Sequence, residues 1–395
     1  NVITLNIVAG GAGSQTWYVR PDGGTPFTSA TATPAGQCDG KHDAAYPGSG
    51  VNQPCALGNL RYLWTDETTY YKEQWIISGG DTVIVRQNPN GYTTGADAAT
   101  GPYPKNCSGD AGGCYMPTIP SGTASQPTRI LGENYANCTS DSAKTLLLGT
   151  WHEWGVINTT DSQFVDVACF EITDAAACAA TGNFTNSCAG KNSASYGVLE
   201  SALTASVNYT DLFIHGLASD GIYGAIGVGV VAERIHLRGM PDAGINMDDD
   251  PWQIGNISVA GGLTLKDSIT EFTGCVEEYP VVHNYPYIEC RDQNVGGYGD
   301  GLGTASATGD WYFDHDIWRY NFQDGLDLLH SGLNSLTVTN SQSYGNDGQQ
   351  FKIGSGLLVK FQNNIALHNC ARIGQLFGDE PASAIVPGVT LCRAA

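Results

Sequence analysis

Phe313-Asp-His-Asp-Ile317, Val338-Thr-Asn-Ser-Gln342 and Phe361-Gln-Asn-Asn-Ile365 are three short pieces that superpose at the same offsets. Around them, Asn321, Asn346 and Asn369 each follow a strand-like run, at intervals of 25 and 23 residues. A repeat of this length made of short strands is what one turn of a parallel β-helix needs. Asn side chains repeated at a turn have a structural reason to recur, because they can hydrogen-bond one another from coil to coil. A second pattern agrees: Asp220-Gly-Ile222, Asp300-Gly-Leu302 and Asp324-Gly-Leu326, the last two 24 residues apart. Glycine after aspartate suits a tight corner, and the aliphatic residue then points into the coil.

Working outward, the same period-two alternation recurs in Asp211-Leu-Phe-Ile-His215, Arg234-Ile-His-Leu237, Leu263-Thr-Leu-Lys266 and Leu358-Val-Lys-Phe361, and helix signals are nearly absent. The expected fold is all-β: a right-handed parallel β-helix, a single-stranded solenoid with long disulfide-stapled loops. It is expected as one domain over 1–395, with irregular coils and loops over 1–190 and regular coils over 191–395. The Gly/Cys-rich stretches 34–58 and 88–125 read as loops thrown out from the coils.

Composition narrows the function classes. The 395 residues hold 18 Lys+Arg against 39 Asp+Glu, a net charge of −21 that would repel a phosphate backbone and excludes a nucleic-acid binder. A 41% hydrophobic content excludes a disordered chain. No apolar stretch is long enough to span a membrane. The start at Asn1, without a charged and apolar leader, is what a mature secreted protein would show. The 12 cysteines include no CxxC pair, so disulfides in an oxidising, extracellular setting are expected rather than zinc. Proximity suggests the pairs Cys107–Cys114, Cys275–Cys290 and Cys370–Cys392.

The chemistry-bearing segment is Tyr298-Gly-Asp-Gly-Leu302, then Asn321-Phe-Gln-Asp-Gly-Leu-Asp-Leu328, then Asn346-Asp-Gly-Gln-Gln-Phe-Lys-Ile-Gly354. Aligned by coil, Leu302, Leu326 and Phe351 form one column, Asp300, Asp324 and Gln349 another, and Asp327 falls with Lys352. Neighbouring coils lie about 4.8 Å apart. Three converging carboxylates repel by about 1 kcal/mol per pair even at water's dielectric, so a compensating charge is expected. Ca²⁺, a hard cation that prefers several carboxylate ligands, would supply it through Asp300, Asp324 and Asp327. A cation nearby also lowers a lysine's pKa, which makes Lys352 a candidate general base for a proton alpha to a carboxylate. That chemistry is β-elimination on an acidic, uronic-acid-containing polysaccharide. Gln323, Asp347, Gln349 and Trp318 are candidates for contacts to that substrate, with Asp347 also a substitute ligand.

The same segment resembles the family 9 polysaccharide lyases, calcium-dependent pectate lyases on a right-handed β-helix. Their motif runs Asp, then about one coil later Asp-Asp-Gly-Phe-Asp, then Asn-Gly and Gly-Phe-Lys-Leu-Gly. The matching residues are Asp300, Gln323-Asp324-Gly325-Leu326-Asp327 and Gln350-Phe351-Lys352-Ile353-Gly354. The resemblance implies calcium ligation by Asp300, Asp324 and Asp327, with Lys352 as the Brønsted base. It covers about sixty residues, and Gln323 stands where the family has an acid. Further upstream, Tyr18-Val-Arg-Pro-Asp-Gly-Gly24, Gly79-Gly-Asp-Thr-Val-Ile-Val85 and Pro127-Thr-Arg-Ile-Leu-Gly132 resemble the first coils of secreted β-helix polysaccharide lyases.

Other readings of the same residues stand beside this one. Asp327 and Lys352 on adjacent coils also make a plain structural ion pair, and the scaffold would then be a non-catalytic structural or adhesive extracellular protein, self-associating through its coil ends. A β-helix glycoside hydrolase with paired carboxylates is a third, drawing on the acidic run Asn246-Met-Asp-Asp-Asp250. Aromatics near the segment, Trp318 among them, would stack on sugars or fill the core.

Overall fold

The computed structural model describes residues 14–27, 36–64, 74–94, 116–149, 153–174, 194–225, 227–248, 261–277, 287–288, 299–304, 307–354 and 356–367. Among them the chain winds as a right-handed parallel β-helix with three sheets. Their strands follow chain order across each sheet, giving ladders of ten, nine and seven strands. The ten-stranded ladder starts at Thr16–Gly24 and ends at Gly356–Gln362. All of its neighbouring strands pair in parallel, as a coil that returns to the same side each turn must. A two-stranded antiparallel ribbon, Val276–Glu277 with Tyr287–Ile288, lies outside the three ladders. No helix among the described residues is long and apolar enough to cross a membrane.

The expected register is found rung by rung. Phe313, Val338 and Phe361 pair in one column, and Ile317, Gln342 and Ile365 in another. The upstream pieces also stack, Tyr18 on Ile84 and Ile84 on Leu131, as the first three rungs of the ten-stranded sheet. Inside, Val83, Ile130, Val167, Tyr209, Ala232, Leu265, Phe313 and Val338 form a continuous, fully buried column. Each apolar side chain is thus covered by the equivalent residue of the coils above and below, so the core grows along the axis.

The corners explain the polar repeats. At the turn between the ten- and nine-stranded sheets, Cys169, Asp211, Arg234, Asp267, His315, Asn340 and Asn363 all have φ between 51° and 66°. This is the left-handed conformation that Asn and Asp tolerate best. Beside it runs a buried side-chain ladder. Asp316 Oδ1 accepts from Ser268 N, Ser341 Oγ from Asp316 N, and Asn364 Oδ1 from Ser341 N. At the next corner Asn346 Oδ1 accepts from both Asn321 N and Nδ2 at 3.0 Å, and Asn321 Oδ1 accepts from Thr273 N. The stacked Asn series is therefore real for Asn321 and Asn346; Asn369 lies outside the described residues.

Two disulfides join pairs of described residues, Cys38–Cys55 and Cys138–Cys169. Each joins cysteines consecutive in the sequence, 17 and 31 positions apart: the first lies between the first two strands of the ten-stranded sheet, and the second links one coil to the next. Cys275 is also disulfide-bonded. Cys107, Cys114, Cys290, Cys370 and Cys392 lie outside the described residues. The stretch 36–64 is better ordered than a thrown-out loop. Cys38 pairs with Gln53 in a parallel bridge, and a 3-10 turn at Leu60–Leu63 buries both leucines.

Candidate functional site

The seven-stranded sheet carries the segment singled out in the sequence. Leu302, Leu326 and Phe351 pair in register, and so do Gly303, Asp327 and Lys352. Alternation turns Leu326 and Leu328 inward and Asp327 outward. Lys352, one coil on, stands beside Asp327 on that outer face.

Asp300 and Asp324 sit two residues ahead of their strands, at the corner. The backbone there forms its own ladder: Gly244 N donates to Asp300 O, Gly301 N to Asp324 O and Gly325 N to Gln349 O. These bonds fix Asp300, Asp324 and Gln349 in the expected column. The carboxyls climb it as well, since Asp300 Oδ1 accepts from Asp324 N at 2.9 Å and Asp324 Oδ1 accepts from Gln349 N. Asp327 Oδ1 accepts from Leu329 N at 2.9 Å, which leaves Oδ2 facing the lysine.

Asp300, Asp324 and Asp327 each bring one carboxylate oxygen within 4.8 Å of the others. Lys352 Nζ donates to Asp327 Oδ2 at 2.7 Å and to Asp324 Oδ2 at 3.0 Å. Burial pushes the Asp300 carboxyl up to about 8, with Asp324 and Asp327 adding repulsion. Asp324 is also held above the usual carboxylate range, because burial outweighs the pull of Lys352. For Lys352 burial opposes the charge, but the hydrogen bonds to Asp327 and Asp324 overcome it and raise the ammonium above its ordinary value. As it stands, then, the amine is a firmly protonated partner of two carboxylates.

The residues fit a hard cation in one further respect. A β-carbon at Gly303 would lie 2.7 Å from Asp300 Oδ2, and one at Gly348 would lie 2.2 Å from Asp324 Oδ1. Both glycines leave space that the carboxylates fold into. Neither glycine stands out in the sequence; only the coil register places Gly303 beside Asp327, with Lys352 one coil further on.

Of the other named residues, Trp318 is corrected: its ring is fully buried, edge-on to Phe313 and Phe351, and cannot stack on a sugar. It faces inward between the small neighbours Thr270 and Ser343 of adjacent coils, which give it room. Gln323 is buried at the corner, accepting there from Gly348 N through its backbone. Asp347 is buried one coil on, its N bonded to Asn321 O, and it is not among the mutually close carboxylates. Gln349 is exposed and touches the cluster through its backbone N. Of the run Asn246–Asp250, Asn246 occupies the outer column, paired with Gly303, and Asp249 and Asp250 lie outside the described residues.

Three solved structures are similar. Pectate lyase Pel9A is 12% identical over 90% of this chain and 80% of its own, with a TM-score of 0.47. An alginate lyase from Paenibacillus sp. str. FPU-7 is 11% identical over 74% of this chain and 93% of its own, TM-score 0.37. A rhamnogalacturonan lyase is 15% identical over 90% of this chain and 63% of its own, TM-score 0.33. No family model and no curated protein matches the chain.

Proposed function

We propose that the protein is an extracellular, calcium-dependent lyase that cleaves a uronic-acid-containing polysaccharide by β-elimination. The observation that carries this reading is the approach of Lys352 Nζ to within 3.0 Å of two members of a three-carboxylate cluster on an outer sheet face. Asp300, Asp324 and Asp327 would hold the cation. When bound, it supplies positive charge that neutralises both the acidic trio and a uronate carboxylate, making the proton alpha to that carboxylate more acidic.

The chain's own residues do the rest. Asp324 and Asp327, once engaged elsewhere, release the hydrogen bonds that keep Lys352 charged, and the amine becomes able to accept a proton. Lys352 takes the C5 proton, the electron pair forms the C4–C5 double bond, the C4–O bond breaks, and the leaving oxygen takes a proton from solvent. Gln349, exposed beside Asp324, would contact the sugar hydroxyls.

The test is a screen of polyuronates for new ultraviolet absorbance from the unsaturated product, with calcium and with chelator. The wild type should gain absorbance only with calcium, and Lys352→Ala should lose at least a hundredfold in rate. No absorbance from any polyuronate, or an unaffected Lys352→Ala variant, overturns the reading.

A self-assembling structural protein has one observation in its favour. The last described coil leaves Leu358 70%, Leu367 58% and Val359 48% exposed, an apolar coil end of the kind that associates. Sedimentation of the full chain would show oligomers that Leu358→Lys dissolves if this end self-associates.

A further inference from the structure

The outer face that carries the carboxylate cluster continues, several coils upstream, into aromatic side chains that the elimination chemistry does not use. Tyr196 and Tyr223 stack face to face, centroids 4.1 Å apart and planes 7° from parallel. Trp154 meets Tyr196 edge-on at 6.4 Å and is 46% exposed. The two tyrosines are partly exposed. A large indole left nearly half in water, at the end of a rigid stack, is not filling a core.

The coil register locates this stack relative to the cluster. Gly197 N donates to Asp220 O, Gly221 N to Ala243 O and Gly244 N to Asp300 O, so Tyr196, Asp220, Ala243 and Asp300 occupy one corner column. Tyr223, Asn246, Gly303 and Asp327 occupy the outward column beside it. Three coil steps separate Tyr196 from Asp300, about 14 Å at the spacing of neighbouring strands. An extended glycan lying along the sheet would reach both.

The groups at the stack define what binds there. Ser219 Oγ lies 3.0 Å from Asp220 Oδ2 and 2.8 Å from Asp242 Oδ2, and Asp220 Oδ1 accepts from Ala243 N. Asp242 is partly exposed, while burial and the neighbouring Asp242 push the Asp220 carboxyl well above the usual carboxylate range, and both acidic groups bear on Tyr196. Carboxylates beside an aromatic face accept hydroxyl hydrogen bonds and repel a second carboxylate. We infer that Trp154, Tyr196, Tyr223 and Asp242 form a subsite for an uncharged pyranose ring, its members one to four coil steps from Asp300 of the proposed elimination site. This rests on the lyase reading only for what lies at the other end. The substrate class it implies is a mixed polysaccharide, with neutral sugars at a fixed distance from the uronate that is cleaved.

Calorimetric titration of the full chain, with cellohexaose, mannohexaose, galactan oligomers and oligogalacturonate, tests it in chelator, where no turnover occurs. At least one neutral oligomer should bind. Trp154→Ala and Tyr223→Ala should each weaken that binding tenfold or more, while Trp154→Phe retains most of it and Lys352→Ala all of it. Absence of binding by every neutral oligomer overturns the inference. So does binding unchanged in both alanine variants, or oligogalacturonate binding at the same residues as tightly as the neutral sugars. If neutral binding depends on Trp154 and Tyr223 while no polyuronate is cleaved, the lyase reading fails and the subsite stands.

Discussion

Gly303 owes its importance to what is missing from it. In an outward column where its neighbours are Asn246 and Asp327, an added β-carbon would meet Asp300 Oδ2 at 2.7 Å. The Asp300 side chain would have to swing away, while the backbone, extended at this position, accepts alanine without strain. Gly303→Ala is therefore expected to weaken calcium binding at least tenfold by titration, with melting changed by about 1 kcal/mol or less. A variant that binds calcium like the wild type would show that Asp300 is not a ligand. Trp318 gives the opposite lesson. Its position near the charged segment suggested sugar stacking, and only the inward side of the strand decides otherwise. Alternation assigns faces well within long strands, but Ile317–Arg319 has three residues and too little pattern to fix which side is in.

At the scale of one sheet or corner, polar ladders carry much of the specificity. Asn321 joins Thr273 N, Thr273 Oγ1 and Asn346 across three coils, all buried. Asn321→Ala strands the buried Thr273 N and should cost about 1–3 kcal/mol in denaturant unfolding. A cost near zero would mean that water replaces the side chain. The nine-stranded sheet bears a second polar system. His215 lies between Glu277 at 2.7 Å and Glu171 at 3.0 Å, with Arg238 also on Glu277. His236 lies between Glu271 at 3.0 Å and Asp141 at 3.3 Å, with Arg319 on Glu271 and Lys144 on Asp141. Burial opposes charge on both rings, yet their carboxylates hold both above the ordinary value near 6.5. A raised histidine contributes stability that is complete below pH 6.5 and disappears as pH climbs through the higher folded value. Urea unfolding should thus show stability falling from about pH 6.5 upward. His215→Gln with His236→Gln should flatten that fall; an unchanged slope would assign it to other groups. Such pairs were invisible in the sequence, because their partners come from positions 35 to 95 residues away.

Across the whole molecule, the repeat length, the Asn and Asp-Gly corners and the coil columns were legible because each coil contacts its neighbours in fixed register. The carboxylate column and the Asp327–Lys352 pair followed from that register alone. The two described disulfides were not singled out, although each joins consecutive cysteines, because the irregular early coils give no period with which to place them. Cys138–Cys169 spans 31 positions, a loop whose closure is worth roughly 4 kcal/mol in the chain-entropy account. In a fold of nearest-neighbour contacts that loss should remain local. Cys138→Ser is expected to lower hydrogen-exchange protection in the strands Thr145–Gly149 and Phe170–Asp174 while leaving Leu326–Leu328 protected. Uniform loss across all coils would make the molecule one cooperative unit instead.

One coil lies wholly between Tyr223 and Leu302, contributing the strands Val230–Glu233, His236–Arg238 and Ile245–Asp248. It contains neither the aromatic stack nor any of the three clustered carboxylates, yet it fixes how far apart they stand. Such an architecture works as a ruler graduated in whole turns. Gaining a single graduation would lengthen the span between grip and blade by one rung, with both ends left intact.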